Sequence, residues 1–282
     1  MWPYVVEWGW FKIGTYGVMM AIGFLTASWL LARDLKSRNL NPAIADSITL
    51  MCIVGGVLGA KLAYMLTEAQ TFVWSDLFSG SGLTWHGGLI LAAALNVGYF
   101  AWKKLPLRVM LDTVSPVLAS GYAFGRLGCQ ISGDGDYGIP CTPDSLDRVF
   151  CMAYPNGIVP THDIVHPTPV YEAVANFALF AILWKLRGRI KNPGVMFGLY
   201  LIGSGISRFL VEFIRQPESR PERFWGLRDA HLIALGQIVL GIVLGLWWGL
   251  VKSPSLPDYG VFPVAAESPV PAVTRQRRRK GK

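Results

Sequence analysis

Residues 13–32, IGTYGVMMAIGFLTASWLLA, run for twenty positions without a charged side chain. About 20 apolar residues in a helix span the hydrocarbon core of a bilayer, so this stretch reads as a transmembrane helix. Its flanks carry a second message. Glu7 and Lys12 precede it, whereas Arg33, Lys36 and Arg38 follow it. A cleavable signal peptide shows the opposite asymmetry, so the reading is a retained first span.

Working outward from that stretch, six more apolar runs meet the same test: residues 44–66, 86–102, 109–127, 169–184, 194–211 and 231–251. The chain is 52% hydrophobic and only 16% charged, with mean hydropathy +0.39. Soluble domains are about a quarter charged. The expected fold class is therefore an all-α polytopic membrane protein with about seven transmembrane helices, whose outer loops form a head region. The net charge of +8 does not point to nucleic acid, because the basic residues sit in short clusters between apolar runs.

Those clusters set an orientation. With the N-terminus outside, 17 of the 26 Lys and Arg residues fall in inner segments, beginning with the Arg33, Lys103 and Lys185 clusters. The inverted topology would put most of that charge outside. The organisation expected is one transmembrane domain, residues 1–252, followed by a disordered tail, 253–282. The tail's basic end, TRQRRRKGK, would meet anionic inner-leaflet lipids. Two outer segments, 128–168 and 212–230, exceed ordinary loop length and become the places to look for function.

Three arginines lie at outer ends of spans, against the inside preference: Arg126 in GRLGCQISGDGDYG, and Arg208 and Arg215 in SRFLVEFIRQP. A guanidinium at membrane depth is expensive unless it faces an aqueous cavity or an anion, and the abundant anion there is a lipid phosphate. Arg208, Glu212 and Arg215 fall at i, i+4 and i+7, so one helix face carries all three, with the carboxylate between two cations. This arrangement fits a phosphate clamp and equally a structural ion network. Five glycines between Gly125 and Gly138 read as a loop that approaches a ligand or folds back into the bundle. Within it, Asp134 and Asp136 either cap backbone N–H groups or pair with Arg126. The run lacks the alternating oxygen ligands of a calcium loop.

His86, followed by Gly87 and Gly88, stands at the mouth of the third span. It reads either as a general base or as a structural histidine. Tyr16 is either a hydrogen-bond donor or an ordinary interface anchor. Cys129 reads as a small buried hydrophobe sooner than as a nucleophile. Cys141 and Cys151, ten apart in an outer segment, suit a disulfide in an oxidising compartment.

Taken together, these segments resemble the prolipoprotein diacylglyceryl transferase family over residues ~10–250. The resemblance is carried by TYGVMMAIGF, WHGGLI, GRLGCQISGDGDYG, VHPTPVYE, SRFLVEFIRQP and LIALGQIVL, in that order. It implies a multi-pass enzyme of the bacterial cytoplasmic (inner) membrane, N-terminus periplasmic and C-terminus cytoplasmic. It also implies an activity: transfer of the diacylglyceryl group of phosphatidylglycerol to the lipobox cysteine thiol of a prolipoprotein signal peptide, with release of glycerol phosphate.

By motif position, the resemblance assigns catalysis to His86, Arg126 and Arg208. It assigns substrate binding to Tyr16, Gly87, Gly88, Cys129, Asp134, Asp136, Glu212 and Arg215. No cofactor or metal is expected, and the partners are membrane lipids and the two substrates. One departure stands out: Cys129 occupies a position that is usually Asn in the family, which removes an amide from the loop. Two rival readings follow, a paralogue with another lipid donor or acceptor and a lipid or anion transporter. The transporter reading would call for internal repeats with broken helices, which the sequence does not display.

Overall fold

A computed structural model describes residues 1–9, 11–67, 84–142, 150–216 and 226–251. Each apolar run forms a helix at the expected place: α1 (Thr15–Ser37), α2 (Ile44–Thr67), α3 (Trp85–Trp102), α4 (Leu107–Ser132), α5 (Thr168–Leu186), α6 (Val195–Glu212) and α7 (Asp229–Leu250). Among the described residues, five of the seven are long and apolar enough to cross a membrane: α1, α2, α5, α6 and α7. The other two are more polar. His86 and Asn96 interrupt α3, and α4 carries Asp112, Thr113, Ser115, Ser120 and Arg126.

The distribution of burial is that of a bundle in lipid. In the apolar window of α7 only 17% of residues are buried, and Leu25, Leu50, Leu95 and Trp247 stand exposed on their helices. Asp112, Ser115, Ser120, Asn176, Glu172 and Glu212 are buried instead. Hydrocarbon is as apolar as leucine, so helices in lipid associate through close packing and polar contacts. A Cβ on Gly88 would sit 2.7 Å from the Gly56 carbonyl oxygen, which glues α3 to α2. Gly198 and Gly241 perform the same task between α6 and α7. Helix α4 packs against α1, α5 and α6 and holds the largest share of buried polar residues.

Two buried acids at the other end of the helices have structural roles. The Asp112 carboxylate accepts the Gly194 N–H at 2.7 Å and the Phe197 N–H at 3.0 Å, satisfying orphan donors at the start of α6. Asp34 is held by Arg38 at 2.9 Å and Arg187 at 3.7 Å.

The glycine-rich segment differs from the loop expected of it. Gly125, Arg126, Gly128 and Cys129 lie within α4, which continues to Ser132 and is terminated by Gly133 at φ 62°. Gly128 stays helical because α1 crosses it closely: a Cβ there would meet the Tyr16 ring at 3.1 Å. Small residues at helix crossings need no loop to be explained.

The segments between the helices also contain strands that hydropathy does not reveal. An antiparallel hairpin, β1 (Tyr4–Trp8) with β2 (Phe11–Gly14), leads into α1. A second hairpin, β3 (Met152–Tyr154) with β4 (Thr161–Val165), follows α4. Gly138 bridges Arg215, tying the segment after α4 to the segment after α6, and Pro140 bridges Val165 at the end of β4. Cys141 and Cys151 are disulfide-bonded. The tail 253–282, expected to be disordered, lies outside the described residues.

Candidate functional site

The residues brought together at one end of the bundle form one continuous chain of alternating charge. It starts at Arg215, whose Nη2 donates to Asp136. The other carboxylate oxygen of Asp136 accepts from Arg126 Nη1. Arg126 Nε lies 2.8 Å from Glu172 Oε2, and Glu172 Oε1 lies 3.6 Å from Arg208 Nη1. Arg208 Nη2 is 2.8 Å from Glu212 Oε2, and Glu212 Oε1 is 3.4 Å from Arg228 Nη1. Four guanidinium groups thus alternate with three carboxylates. A fourth carboxylate, that of Asp134, lies within 4.8 Å of that of Asp136.

Each member is positioned by a different element. Arg126 projects from the last turns of α4. Glu172 comes from the second turn of α5, which starts at Thr168 after the cap Pro167. Arg208 and Glu212 are one turn apart on α6, Arg215 follows its end, and Arg228 caps α7. Asp136 is held in the connector after Gly133, where Thr168 Oγ1 donates to its carbonyl at 2.5 Å. A small cluster steadies that connector. Tyr137 and Tyr154 stack with centroids 5.0 Å apart, and Tyr154 donates to Gln130 Oε1 at 2.8 Å. Burial pushes the Tyr154 phenol up to about 12, so it stays a protonated donor at any working pH.

Tyr122, one turn before Arg126, adds a polar hinge. Its hydroxyl accepts from Arg126 Nε at 3.1 Å and Nη2 at 3.0 Å, and donates to Glu172 Oε1 at 2.9 Å. A planar guanidinium gripped on three sides has one orientation. Glu172 is 2% exposed and Glu212 6%, and carboxylates so buried are tolerated because cations meet both oxygens. Among the described residues, Arg208 Nη1 is buried without a hydrogen-bond partner. Its ion-pair distance of 3.6 Å to Glu172 is too long for a hydrogen bond. A donor left open is what an anion-binding site requires.

The sequence-derived site residues fall into three groups. Arg126, Arg208, Asp136, Glu212 and Arg215 converge in the charge chain. Arg215 does so differently from the helical-face reading: α6 ends at Glu212, the phase is lost, and Arg215 reaches Asp136 while Arg228 takes the second flank of Glu212. Tyr16, Cys129 and Asp134 lie alongside. Cys129 is buried, and its sulfur lies within 4.8 Å of carboxylate oxygens of Asp134 and Asp136. Asp134 also accepts the Asp136 N–H at 3.4 Å. Because two guanidinium groups already hold Asp136, this trio belongs to the frame of an anion site more than to a cation site.

The third group is separate. His86 is exposed in the first turn of α3 and packs edge-on against Trp85 at 5.3 Å, with no contact to the charge chain among the described residues. Gly87 and Gly88 serve the α2–α3 seam.

Glu172, Tyr122 and Arg228 were missed. Glu172 closes the VHPTPVYE segment and is the lone acid in its span, which is itself a functional signal in a membrane helix. Arg228 directly precedes the apolar run of α7, at the same end of the bundle as Arg126 and Arg208.

Helices apolar on the outside, with a network of arginines and buried carboxylates at one end, define an integral membrane protein. The prolipoprotein diacylglyceryl transferase family model matches residues 3–247, and the chain belongs to that family. Among curated relatives, a phosphatidylglycerol–prolipoprotein diacylglyceryl transferase of Leptospira interrogans is 31% identical, aligned over 86% of this chain and 91% of its own length. Proteins of the same name from Symbiobacterium thermophilum and Clostridium tetani are each 32% identical, over 87% and 85% of this chain and 92% and 95% of their own.

Proposed function

We propose that this protein transfers the diacylglyceryl group of phosphatidylglycerol to the lipobox cysteine thiol of a prolipoprotein, forming a thioether and releasing glycerol phosphate. The observation that carries the reading is the charge chain from Arg215 to Arg228, with the Nη1 of Arg208 left without a hydrogen-bond partner among the described residues. A phosphodiester oxygen is an acceptor that such a guanidinium nitrogen can bind.

In the reaction the thiolate attacks the glycerol carbon that bears the phosphate. The carbon–oxygen bond breaks, and its electron pair leaves on the phosphate oxygen. Charge grows on the leaving phosphate, where fixed guanidinium groups stabilise the transition state more than the ground state. Arg126 and Arg208 bind the phosphate directly. Glu172, Glu212 and Asp136 hold their orientation, and Arg215 acts through Asp136. The thiol is a poor nucleophile until it loses its proton. His86 is assigned to take that proton, at the start of α3 and on the same side of an up-and-down bundle as the arginines. Tyr16 lines the approach beside Gly128 and Asp134 lies near it, whereas Cys129 packs as a small apolar residue.

The arrangement proposed has seven spans in the bacterial inner membrane, N-terminus periplasmic, with residues 1–252 as the transferase domain and a cytoplasmic basic tail. The test is direct. Purified protein, phosphatidylglycerol and a lipobox peptide should yield a peptide heavier by one diacylglyceryl group. No adduct from well-folded protein would overturn the reading.

A further inference from the structure

His231 is a buried histidine that neither the reaction nor the motifs call for. It sits in the first turn of α7, 2% exposed, with its ring 4.5 Å from that of Phe213 and 5.2 Å from that of Phe209. Its Nδ1 accepts the backbone N–H of Arg228 at 3.2 Å, and the His231 backbone N–H donates to the Arg228 carbonyl at 3.0 Å. With Nδ1 an acceptor, the neutral ring carries its proton on Nε2, which is buried with no partner among the described residues. A buried unpaired donor is a cost that packing alone would remove by placing phenylalanine there. The return is the bond to Arg228.

That bond has a consequence for the charge chain. It fixes the backbone at the start of α7, from which the Arg228 side chain reaches back to three acceptors. Arg228 Nη1 donates to the Glu212 carbonyl at 3.2 Å, to Glu212 Oε1 at 3.4 Å and to the Arg215 carbonyl at 3.2 Å. Arg228 therefore pins one oxygen of Glu212, leaving the other for Arg208 at 2.8 Å. Arg208 is then held between Glu212 and Glu172, with Nη1 open. The charged groups that act on the His231 ring are Glu212, Arg228 and Arg208, all members of this end of the chain.

We infer that His231 is a positioning residue for donor-lipid binding: through its Nδ1 bond to Arg228 it locks Glu212, and through Glu212 it aims the open guanidinium nitrogen of Arg208 at the phosphate. The inference rests on the reading of the arginine chain as the phosphodiester site. Its bond partner, Arg228, stands outside the R-x-x-x-E-x-x-R segment and comes from another helix, so the sequence pattern does not point to it.

The experiment varies phosphatidylglycerol at fixed lipobox peptide, with full-length protein and three substitutions. His231→Phe keeps the ring and its packing on Phe209 and Phe213 but removes the acceptor. His231→Gln restores an acceptor at the third helical position, where glutamine is a usual capping partner. Arg228→Met removes the clamp itself. The expected result for His231→Phe is a KM for phosphatidylglycerol raised about fivefold or more with kcat within about twofold, the pattern of lost substrate binding. The thermal midpoint should hold. His231→Gln should return KM to near the parent value. Arg228→Met should raise KM as His231→Phe does, and combining the two should add nothing further.

A parent-like KM in His231→Phe, or additive effects in the double variant, overturns the inference. So does equal damage in the Phe and Gln variants that tracks a fall in thermal midpoint, since a structural role alone would produce it. Should His231→Phe fail to fold, the KM of Arg228→Met decides alone. Arg208→Ala separates the two levels: if it is inactive while His231→Phe is normal, only the positioning idea fails, and if Arg208→Ala is fully active, the phosphate reading itself fails.

Discussion

Arg126 and Glu172, 46 residues apart in sequence, meet at 2.8 Å, and the same carboxylate reaches on to Arg208 at 3.6 Å. Glu172 is thus the keystone between two cations that would otherwise repel each other inside a bundle. It neutralises both without occupying the Nη1 hydrogen bond of Arg208, and so keeps the two guanidinium groups close together.

Glu172→Gln should therefore harm fold and chemistry together. Breaking a buried ion pair by removing one partner costs roughly 3–5 kcal/mol. A clearly lower thermal midpoint and at least ~10-fold lower transferase activity are expected, corresponding to about 1.4 kcal/mol or more of lost transition-state stabilisation. Unchanged stability and turnover would mean that the carboxylate is dispensable.

Arg126→Lys and Arg208→Lys should each lose at least ~10-fold in activity. A guanidinium forks to two acceptors at once, as Arg126 does between Asp136 and Glu172, whereas an ammonium is a point charge that cannot keep that geometry. Near-normal turnover of both lysine variants at normal protein levels would remove these residues from the phosphate site.

Cys129→Ala should keep most activity, and His86→Ala should lose nearly all of it. The Cys129 thiol is buried against the arginine-bearing turn of α4. A lipidated Cys129 would be a stable thioether and a poor leaving group, so a covalent relay through it would stall. A diacylglyceryl mass on Cys129, or abolished turnover in a folded alanine variant, would contradict this. For His86 the risk runs the other way. It has no contact with the charge chain among the described residues, so full activity in His86→Ala would move the proton acceptor elsewhere.

The Cys141–Cys151 disulfide should matter for stability and not for chemistry. A loop of this size is worth roughly 2–3 kcal/mol in the chain-entropy picture. The double serine variant should unfold at lower temperature yet turn over normally when cold. Two alkylatable thiols in protein taken from its native membrane would show that the bond does not form there.

Topology offers an independent check. Reporter fusions after Lys36 and after Lys191 should read cytoplasmic, and one within residues 140–150 should read periplasmic. An outside reading at either basic segment would overturn the orientation proposed from the distribution of Lys and Arg.

The sequence by itself determined where the seven helices lie, because helix length and hydropathy are local quantities, set over about 20 residues at a time. It also determined the Arg208–Glu212 pair, since residues four apart on one helix are neighbours whatever surrounds them. The glycines around Arg126 were legible as a demand for close approach, but not as a helix crossing, because loops and crossings ask the same small size of a residue. The tertiary structure alone decided that α4 runs on past Arg126 to Ser132, that Arg215 turns to Asp136, and that Glu172 and Arg228 complete the chain. Those partners lie on different elements, and which guanidinium meets which carboxylate depends on how the helices are rotated and packed. A one-dimensional pattern of charge and hydropathy carries no record of that rotation.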